Sequence, residues 1–362
     1  MLPAFVIFVN MNDAYSLFSK EQRTNAIQRL TALWAFTESG LGGIMHALKI
    51  PFTGLIVGGM AVVMICLIAE FSENKYRQIL KCAIIVLIVK AMAAPFTPFA
   101  AYIAVSFQAL IGFLFFSLLR VNFISILLLS IIAMVESAMQ KLLMLTLFLG
   151  TSLWKAMDKM IAFASDELGH IVSHGSYWVI GIYLSIYVTG GFLIAWFAYS
   201  TIKNFDTSNP DFFLKESLVT NKEEISTTGS GKKRGYKKFW FFLFVMILLS
   251  IILFFFAPDK KQGWFEVLKT ISWTLSALLL WFLLISPLLT KGLQKLLKKK
   301  QSRHSEEVAR VFAFLPMLKK LAYLSWQQSK AFRGFKRLNF FLTTLIYATL
   351  TYSETELTTE QI

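Results

Sequence analysis

Residues 79–119 read ILKCAIIVLIVKAMAAPFTPFAAYIAVSFQALIGFLFFSLL. The stretch carries two charged residues, Lys81 and Lys90, and it is interrupted once, by PFTP at 95–98. Because an apolar run of about 20 residues crosses a bilayer as a helix, the stretch predicts two membrane helices joined by a tight turn. Lys90 lies inside the first of them, where a charge costs about 3 kcal/mol on insertion scales. Its position indicates a transport pathway, a ligand or a buried ion pair.

The composition predicts an all-α, polytopic membrane protein. The chain of 362 residues is 56% hydrophobic and 16% charged, whereas soluble domains are about 25% charged. The formal net charge of +15 therefore favours cytoplasmic loops and contacts with anionic lipid headgroups over nucleic acid. The two cysteines, Cys66 and Cys82, predict neither a disulfide framework nor a metal site.

Apolar runs predict eight membrane spans. They lie at about 30–48, 50–70, 79–94, 97–119, 123–149, 177–201, 238–257 and 265–289. If the N-terminus is cytoplasmic, the main clusters of Lys and Arg all fall on the cytoplasmic side, as the positive-inside rule requires. We therefore expect a multi-pass protein of the plasma (inner) membrane with both termini in the cytoplasm.

This topology divides the chain into segments of different composition. The expected segments are a cytoplasmic N-terminal segment (1–29), a six-helix substrate-binding membrane domain (30–203), a basic flexible linker (204–237), a two-span membrane module (238–290) and a cytoplasmic tail of amphipathic helices (291–362). The linker is too polar to bury the apolar surface that independent folding requires.

Polar residues of the six-helix domain gather in its predicted outer half. The candidate solute-binding residues are His46, Lys49, Thr53, Lys90, Thr97, Tyr102, Glu136 and Gln140. Since Lys49 and Lys90 supply positive charge, this interpretation predicts an anionic solute. The alternative is structural: Glu38 or Glu136 pairs with Lys90 or Lys141 to hold the bundle together, as intramembrane ionisable groups often do.

The first span carries two different faces. Glu38, Gly42, His46 and Lys49 are spaced four, four and three residues apart and so share one helical face. A second stripe consists of small residues: Ala35, Ser39, Gly43 and Ala47. Small residues at this spacing let membrane helices approach closely, which fits either packing within the chain or a docking face for another subunit.

Motif searches give no support for an enzyme. The segment GSGKK at 229–233 lacks the first glycine of a phosphate-binding loop and has lysine where the Mg²⁺-binding Ser or Thr belongs. We therefore expect no catalytic residues and no cofactor.

One family resemblance covers about residues 30–200. The segments GLGG (40–43), HALKIPFTG (46–54), GG (58–59), KAMAAP (90–95) and AYIAVSFQ (101–108) resemble the substrate-binding S components of energy-coupling-factor (ECF) transporters. That resemblance implies a six-helix protein that holds a vitamin or similar micronutrient near the outer face. It also implies that the small-residue stripe packs against a transmembrane T component.

The tail carries a second resemblance. EVARVFAFLPML (307–318) and SKAFRGF (329–335) resemble the coupling helix of ECF T components, in which an Arg-Gly arginine docks on a partner ATPase. The resemblance implies that Arg310 and Arg333 couple the chain to such ATPases. The chain departs from full T components because it has two predicted C-terminal spans and a single Ala-x-Arg-Gly motif, at 331–334.

Two other classes of function stay open. The chain could be a membrane subunit of a lipid or isoprenoid enzyme, which a neighbouring gene for a soluble prenyl synthase would favour. It could also be a membrane assembly or scaffold protein whose basic tail recruits a cytoplasmic complex; a dry, uniformly apolar core would favour that.

Overall fold

The computed structural model describes residues 19–47, 52–94, 97–167, 174–204 and 260–351, and its regular elements within those ranges are all helical. The helices are α1 (Lys20–Phe36), α2 (Gly42–Ala47), α3 (Thr53–Phe71), α4 (Arg77–Ala93), α5 (Phe99–Leu119), α6 (Phe123–Leu149), α7 (Ser152–Glu167), α8 (Gly175–Lys203), α9 (Lys260–Leu279), α10 (Ser286–Gln301), α11 (Ser305–Gln328) and α12 (Gly334–Thr351). The all-α class expected from the composition is confirmed for this part of the chain.

Within the described ranges, four helices are long and apolar enough to cross a membrane, and they coincide with four of the predicted spans. They are α3, α5, α6 and α8, with mean hydropathies between 1.8 and 2.3 over their most apolar windows. This finding is compatible with a membrane protein. The arrangement of six helices plus two, and the cytoplasmic placement of the termini, stay predictions.

The other predicted spans have different outcomes. Span 79–94 corresponds to α4, whose 17 residues lie at the lower end of the range of about 17–25 that can cross a bilayer; α4 is not one of the four helices above. Span 265–289 is distributed over α9, a π-helical turn at Leu280–Ile285 and α10. Span 238–257 lies outside the described residues.

The predicted first span, 30–48, is helical but not uniform. α1 begins with a capping box, in which Ser19 Oγ accepts from the Gln22 amide at 3.2 Å and Gln22 Oε1 accepts from the Ser19 amide at 2.8 Å. A π-helical turn at Thr37–Leu41 then separates α1 from α2. The hydroxyls of Thr37 and Ser39 donate to backbone carbonyls of the preceding turn, and such bonds bend helices.

Two compact units make up the chain. One contains Met1–Ser137, Tyr187–Asn221 and Gly292–Ile362, and the other contains Ala138–Ile186 and Lys222–Lys291. In the first unit, α1 packs against α3, α4, α11 and α12, and α5 packs against α3 and α4. The last two helices, α11 and α12, therefore share a unit with α1, whereas α9 belongs to the other unit. The predicted domain boundaries stay predictions.

Glycines set close helix contacts in the first unit. A Cβ added at Gly191 of α8 would lie 3.1 Å from Ile131 Cα of α6, so the two backbones touch there. A Cβ at Gly112 of α5 would lie 2.6 Å from Ile65 Cγ2 of α3. Such small residues are what allow apolar helices to pack in a membrane, where no hydrophobic force drives them together.

The predicted amphipathic tail folds as a helical hairpin, α11–α12. The chain reverses at a 3₁₀ turn, Ser329–Ala331, and at Gly334, whose φ of +58° suits glycine. Arg29 Nη1 donates to the Leu350 carbonyl at 2.8 Å, and the Tyr347 hydroxyl donates to the Asn204 carbonyl at 3.0 Å. These contacts fasten the end of α12 to α1 and to the end of α8.

Candidate functional site

A buried ion pair joins two of the packed helices. Lys90 Nζ of α4 lies 2.6 Å from Glu38 Oε2 in the π-helical turn, and the two side chains are 4% and 5% exposed. A buried charge of this kind is stable only when it is paired and hydrogen-bonded. The ion pair is one of the alternatives that the sequence left open, and the structure shows it.

Local geometry explains why these two residues meet. α1 and α4 pack directly against each other, and Lys90 lies in the last turn of α4. The negative end of a helix dipole favours a cation at that position. π-helical turns widen a helix locally and are frequent at functional sites, and this one holds Glu38 in the interface.

One aromatic ring predicted for the site, that of Tyr102, lies near the lysine. The Tyr102 ring centroid lies 5.8 Å from Lys90 Nζ, and Tyr102 itself is 3% exposed. That distance is within cation–π range. Thr97 Oγ1 donates to the Ala94 carbonyl at 2.7 Å, so Thr97 shapes the connection between α4 and α5. Lys90 and Tyr102, which were predicted site residues, thus meet around Glu38.

The remaining predicted solute-binding residues lie on α2, α3 and α6 or outside the described residues. Thr53 is buried at the first position of α3. Glu136 and Gln140 are half-buried on α6, in the first and second compact unit respectively. The backbone of His46 belongs to α2, while Lys49 lies outside the described residues. The predicted binding role of the whole set stays a prediction.

The small-residue stripe on the first span has an inner and an outer part. Ala35 is fully buried, and Ser39 is half-buried with its hydroxyl donating to the Ala35 carbonyl at 2.5 Å. Gly43 is exposed, and a Cβ added there would meet no atom of the described residues within 4 Å. Ala47 is described only as backbone of α2. Ala35 therefore packs within the chain, whereas Gly43 faces outward.

The two arginines predicted to couple to an ATPase lie on the hairpin surface. Arg310 and Arg333 are both exposed. Arg310 Nη2 lies 3.7 Å from Glu306 Oε2, one turn earlier on α11. Exposed pairs of this kind contribute little to stability. Because Arg310 and Arg333 are both exposed, their guanidinium groups are accessible to a partner.

Gln108 is among the buried polar residues that were not predicted as site residues. Gln108 of α5 is 2% exposed, and its Oε1 has no hydrogen-bond partner among the described residues. The sequence did contain a signal, since Gln108 is the one residue between 99 and 119 with a carboxamide side chain. A strongly polar group in the middle of an apolar helix is costly and therefore often functional.

Comparison with known proteins leaves the family open: no protein-family model, no curated protein and no solved structure matches this chain.

Proposed function

We propose that this chain is the membrane component of an ECF-type uptake transporter, which binds a small solute and is energised by partner ATPases. The observation that carries the proposal is the Glu38–Lys90 pair, a fully buried charge pair beside Tyr102. Ionisable groups within membrane segments are rare, often pair with one another and are frequently part of solute or ion pathways. In this proposal the protein lies in the plasma (inner) membrane, crosses it eight times and keeps both termini in the cytoplasm.

The packing of the hairpin supports a mechanical link to the proposed site. α11 packs against both α1 and α4, the helices beside which Glu38 and Lys90 meet. A partner that pulls on the hairpin would therefore displace the two helices that the ion pair joins. Because packed interfaces shift between discrete arrangements rather than deforming continuously, such a displacement can open or close a site.

The exposed residues supply two docking positions. Arg310 and Arg333 on the hairpin would contact the ATPases, and the exposed face around Gly43 would pack against a T component. Positive charge on the hairpin surface suits an acidic groove on the partner. A Gly43 surface without a side chain suits a close helix contact.

Affinity purification from native membranes in mild detergent tests the proposal. Mass spectrometry would identify both the copurifying proteins and any retained small molecule. The proposal predicts a pair of ATPases together with a bound micronutrient. Recovery of a soluble lipid-synthesis enzyme in place of the ATPases would contradict it and favour the lipid-enzyme alternative.

A charge reversal makes this test specific to the hairpin. In the Arg333→Glu variant we expect the ATPases to be lost from the purified complex. The matched control is Lys20→Glu, since Lys20 is also exposed but lies at the start of α1, outside the predicted spans. If Arg333→Glu retains the ATPases as well as the wild type does, the coupling role of Arg333 is wrong.

A further inference from the structure

Gln108 lies in a position where a polar atom without a hydrogen bond destabilises the fold. It occupies the middle of α5, one of the helices able to cross a membrane. The side chain is 2% exposed, and Oε1 is without a hydrogen-bond partner among the described residues. Since water is scarce at membrane depth, such an atom destabilises the fold unless something bonds to it during the protein's work.

Residues of two neighbouring helices hold the carboxamide in place. A Cβ added at Gly58 of α3 would lie 3.0 Å from Gln108 Nε2 and 3.3 Å from Met134 Cε of α6. Gly58 therefore leaves the room that the carboxamide occupies, and Met134 lies beside it. The neighbouring side chains restrict the rotamers of Gln108. Side chains that position a ligand are restricted by packing in the same way.

The charged groups near the N-terminal end of α5 neutralise each other. Tyr102, six residues before Gln108 on α5, lies near the Lys90 ammonium, whose charge the Glu38 carboxylate neutralises at 2.6 Å. An anionic solute would add an uncompensated negative charge beside this neutral pair, and burying such a charge is costly. Among the described residues of this region, the Lys90 cation is already paired, whereas the acceptor Oε1 of Gln108 is not.

We propose that Gln108 Oε1 accepts a hydrogen bond from the transported solute, and that this solute is uncharged or zwitterionic and carries an N–H or O–H donor. The inference rests on the proposed transport function and refines it. It departs from the anionic solute that Lys49 and Lys90 predict when the Glu38 partner is left out of account.

The first readout is retention of a solute by the purified full chain. The protein in mild detergent is incubated with a mixture of uncharged vitamins (nicotinamide, pyridoxine, riboflavin), zwitterionic amino acids and anionic vitamins (nicotinate, biotin, pantothenate). Mass spectrometry after gel filtration identifies what stays bound, including any compound carried over from the cells. We expect an uncharged or zwitterionic compound, and we expect Gln108→Leu to reduce its retention at least about tenfold, since the site then lacks its acceptor.

The second readout is the thermal stability of the solute-free protein. Because Gln108→Leu removes an unsatisfied buried atom and keeps an apolar side chain of similar size, we expect its Tm to rise by about 2 °C. Ser106→Ala is the matched control, since Ser106 lies on the exposed face of the same helix. We expect that variant to change neither readout.

Each result distinguishes the inference from the function on which it rests. Retention of an anionic compound would overturn the inference and leave the transport proposal standing. A Gln108→Leu variant that retains the solute normally, or that melts at a lower temperature, would show that Gln108 is structural and would also overturn the inference. A wild-type chain that retains no compound from the mixture or the cells would overturn the transport proposal, and the inference with it.

Discussion

Lys90 and Lys330 carry the same charge in opposite surroundings. Lys90 is 4% exposed and has a carboxylate partner at 2.6 Å, whereas Lys330 at the hairpin turn is exposed. Residues 308–353 contain seven Lys and Arg and no Asp or Glu. Lys90 depends on one carboxylate partner, Glu38. The Lys and Arg residues of 308–353 have no acidic side chain within that segment.

The difference separates charges that the fold requires from charges that are available for recognition. A buried charge that loses its partner destabilises the protein strongly, while an exposed charge changes stability by less than about 0.5 kcal/mol when it is removed. Substitutions in the two regions should therefore have effects of different size and kind.

Removal of Lys90 should have the largest effect. Lys90→Ala leaves the Glu38 carboxylate buried without its partner, and we expect a loss of about 3–5 kcal/mol in stability, measured by thermal unfolding in detergent. The double variant Glu38→Gln with Lys90→Met removes both charges and should recover most of that loss. If the double variant is no more stable than Lys90→Ala, the ion pair is not what makes Lys90 necessary.

Detachment of the hairpin should have an intermediate effect. Arg29→Ala removes the charged donor to the Leu350 carbonyl, and hydrogen bonds from charged groups contribute about 1.5–3 kcal/mol. We expect faster hydrogen–deuterium exchange in α12, with α3 unchanged. Lys20→Ala, an exposed position at the start of α1, serves as the control. Unchanged exchange in α12 would mean that other contacts hold the hairpin.

The interior of the hairpin offers a smaller test. The Arg337 guanidinium lies 4.2 Å from the centroid of the Trp326 ring, and its Nε donates to Ser329 Oγ at 3.3 Å. Arg337→Gln should cost about 0.5–1 kcal/mol, as for other cation–π contacts near a surface. The neighbouring exposed Lys336 provides the control Lys336→Gln, whose unfolding temperature should match the wild type. Equal effects of the two substitutions would contradict the assigned contact.

The smallest effect concerns a half-buried anion with a defined partner. Asp158 Oδ1 accepts a hydrogen bond from the Ser176 amide at 2.8 Å, and hydrogen bonds from Ser176 lower the pKa of Asp158 below its ordinary value. A lowered pKa in the folded state stabilises the protein above the ordinary pKa, and this stabilisation is lost as the pH falls through the folded value. The difference in unfolding temperature between wild type and Asp158→Asn should therefore shrink on acidification; a pH-independent difference would argue against the bond.

The helical class and four of the spans could be predicted because they depend on local composition. Runs such as 97–119 and 123–149 are long and apolar, and no tertiary contact is needed to recognise them. The partner of Lys90 could only be narrowed to Glu38 or Glu136. The choice between them depends on which helices pack together, and this is not encoded in periodicity.

The rest of the candidate site depends on contacts between distant residues. The face shared by Glu38, Gly42, His46 and Lys49 was deduced from ideal α-helical spacing, but the π-helical turn at Thr37–Leu41 changes the register along that face. Gln108 carries no charge, and its buried state follows from Gly58 and Met134 on other helices. Such a residue becomes conspicuous only once the helices are assembled.

The π-helical turn also has a consequence for how the sequence can change during evolution. A π turn is equivalent to one extra residue inserted into an α-helix, and each added residue rotates the following helix by about 100°. A descendant that loses Thr37 would regain a straight helix and rotate the acidic side chain by about 100° relative to α1, away from α4. We therefore expect lineages with a shorter first helix to have lost both the glutamate and the lysine, since neither is tolerable alone.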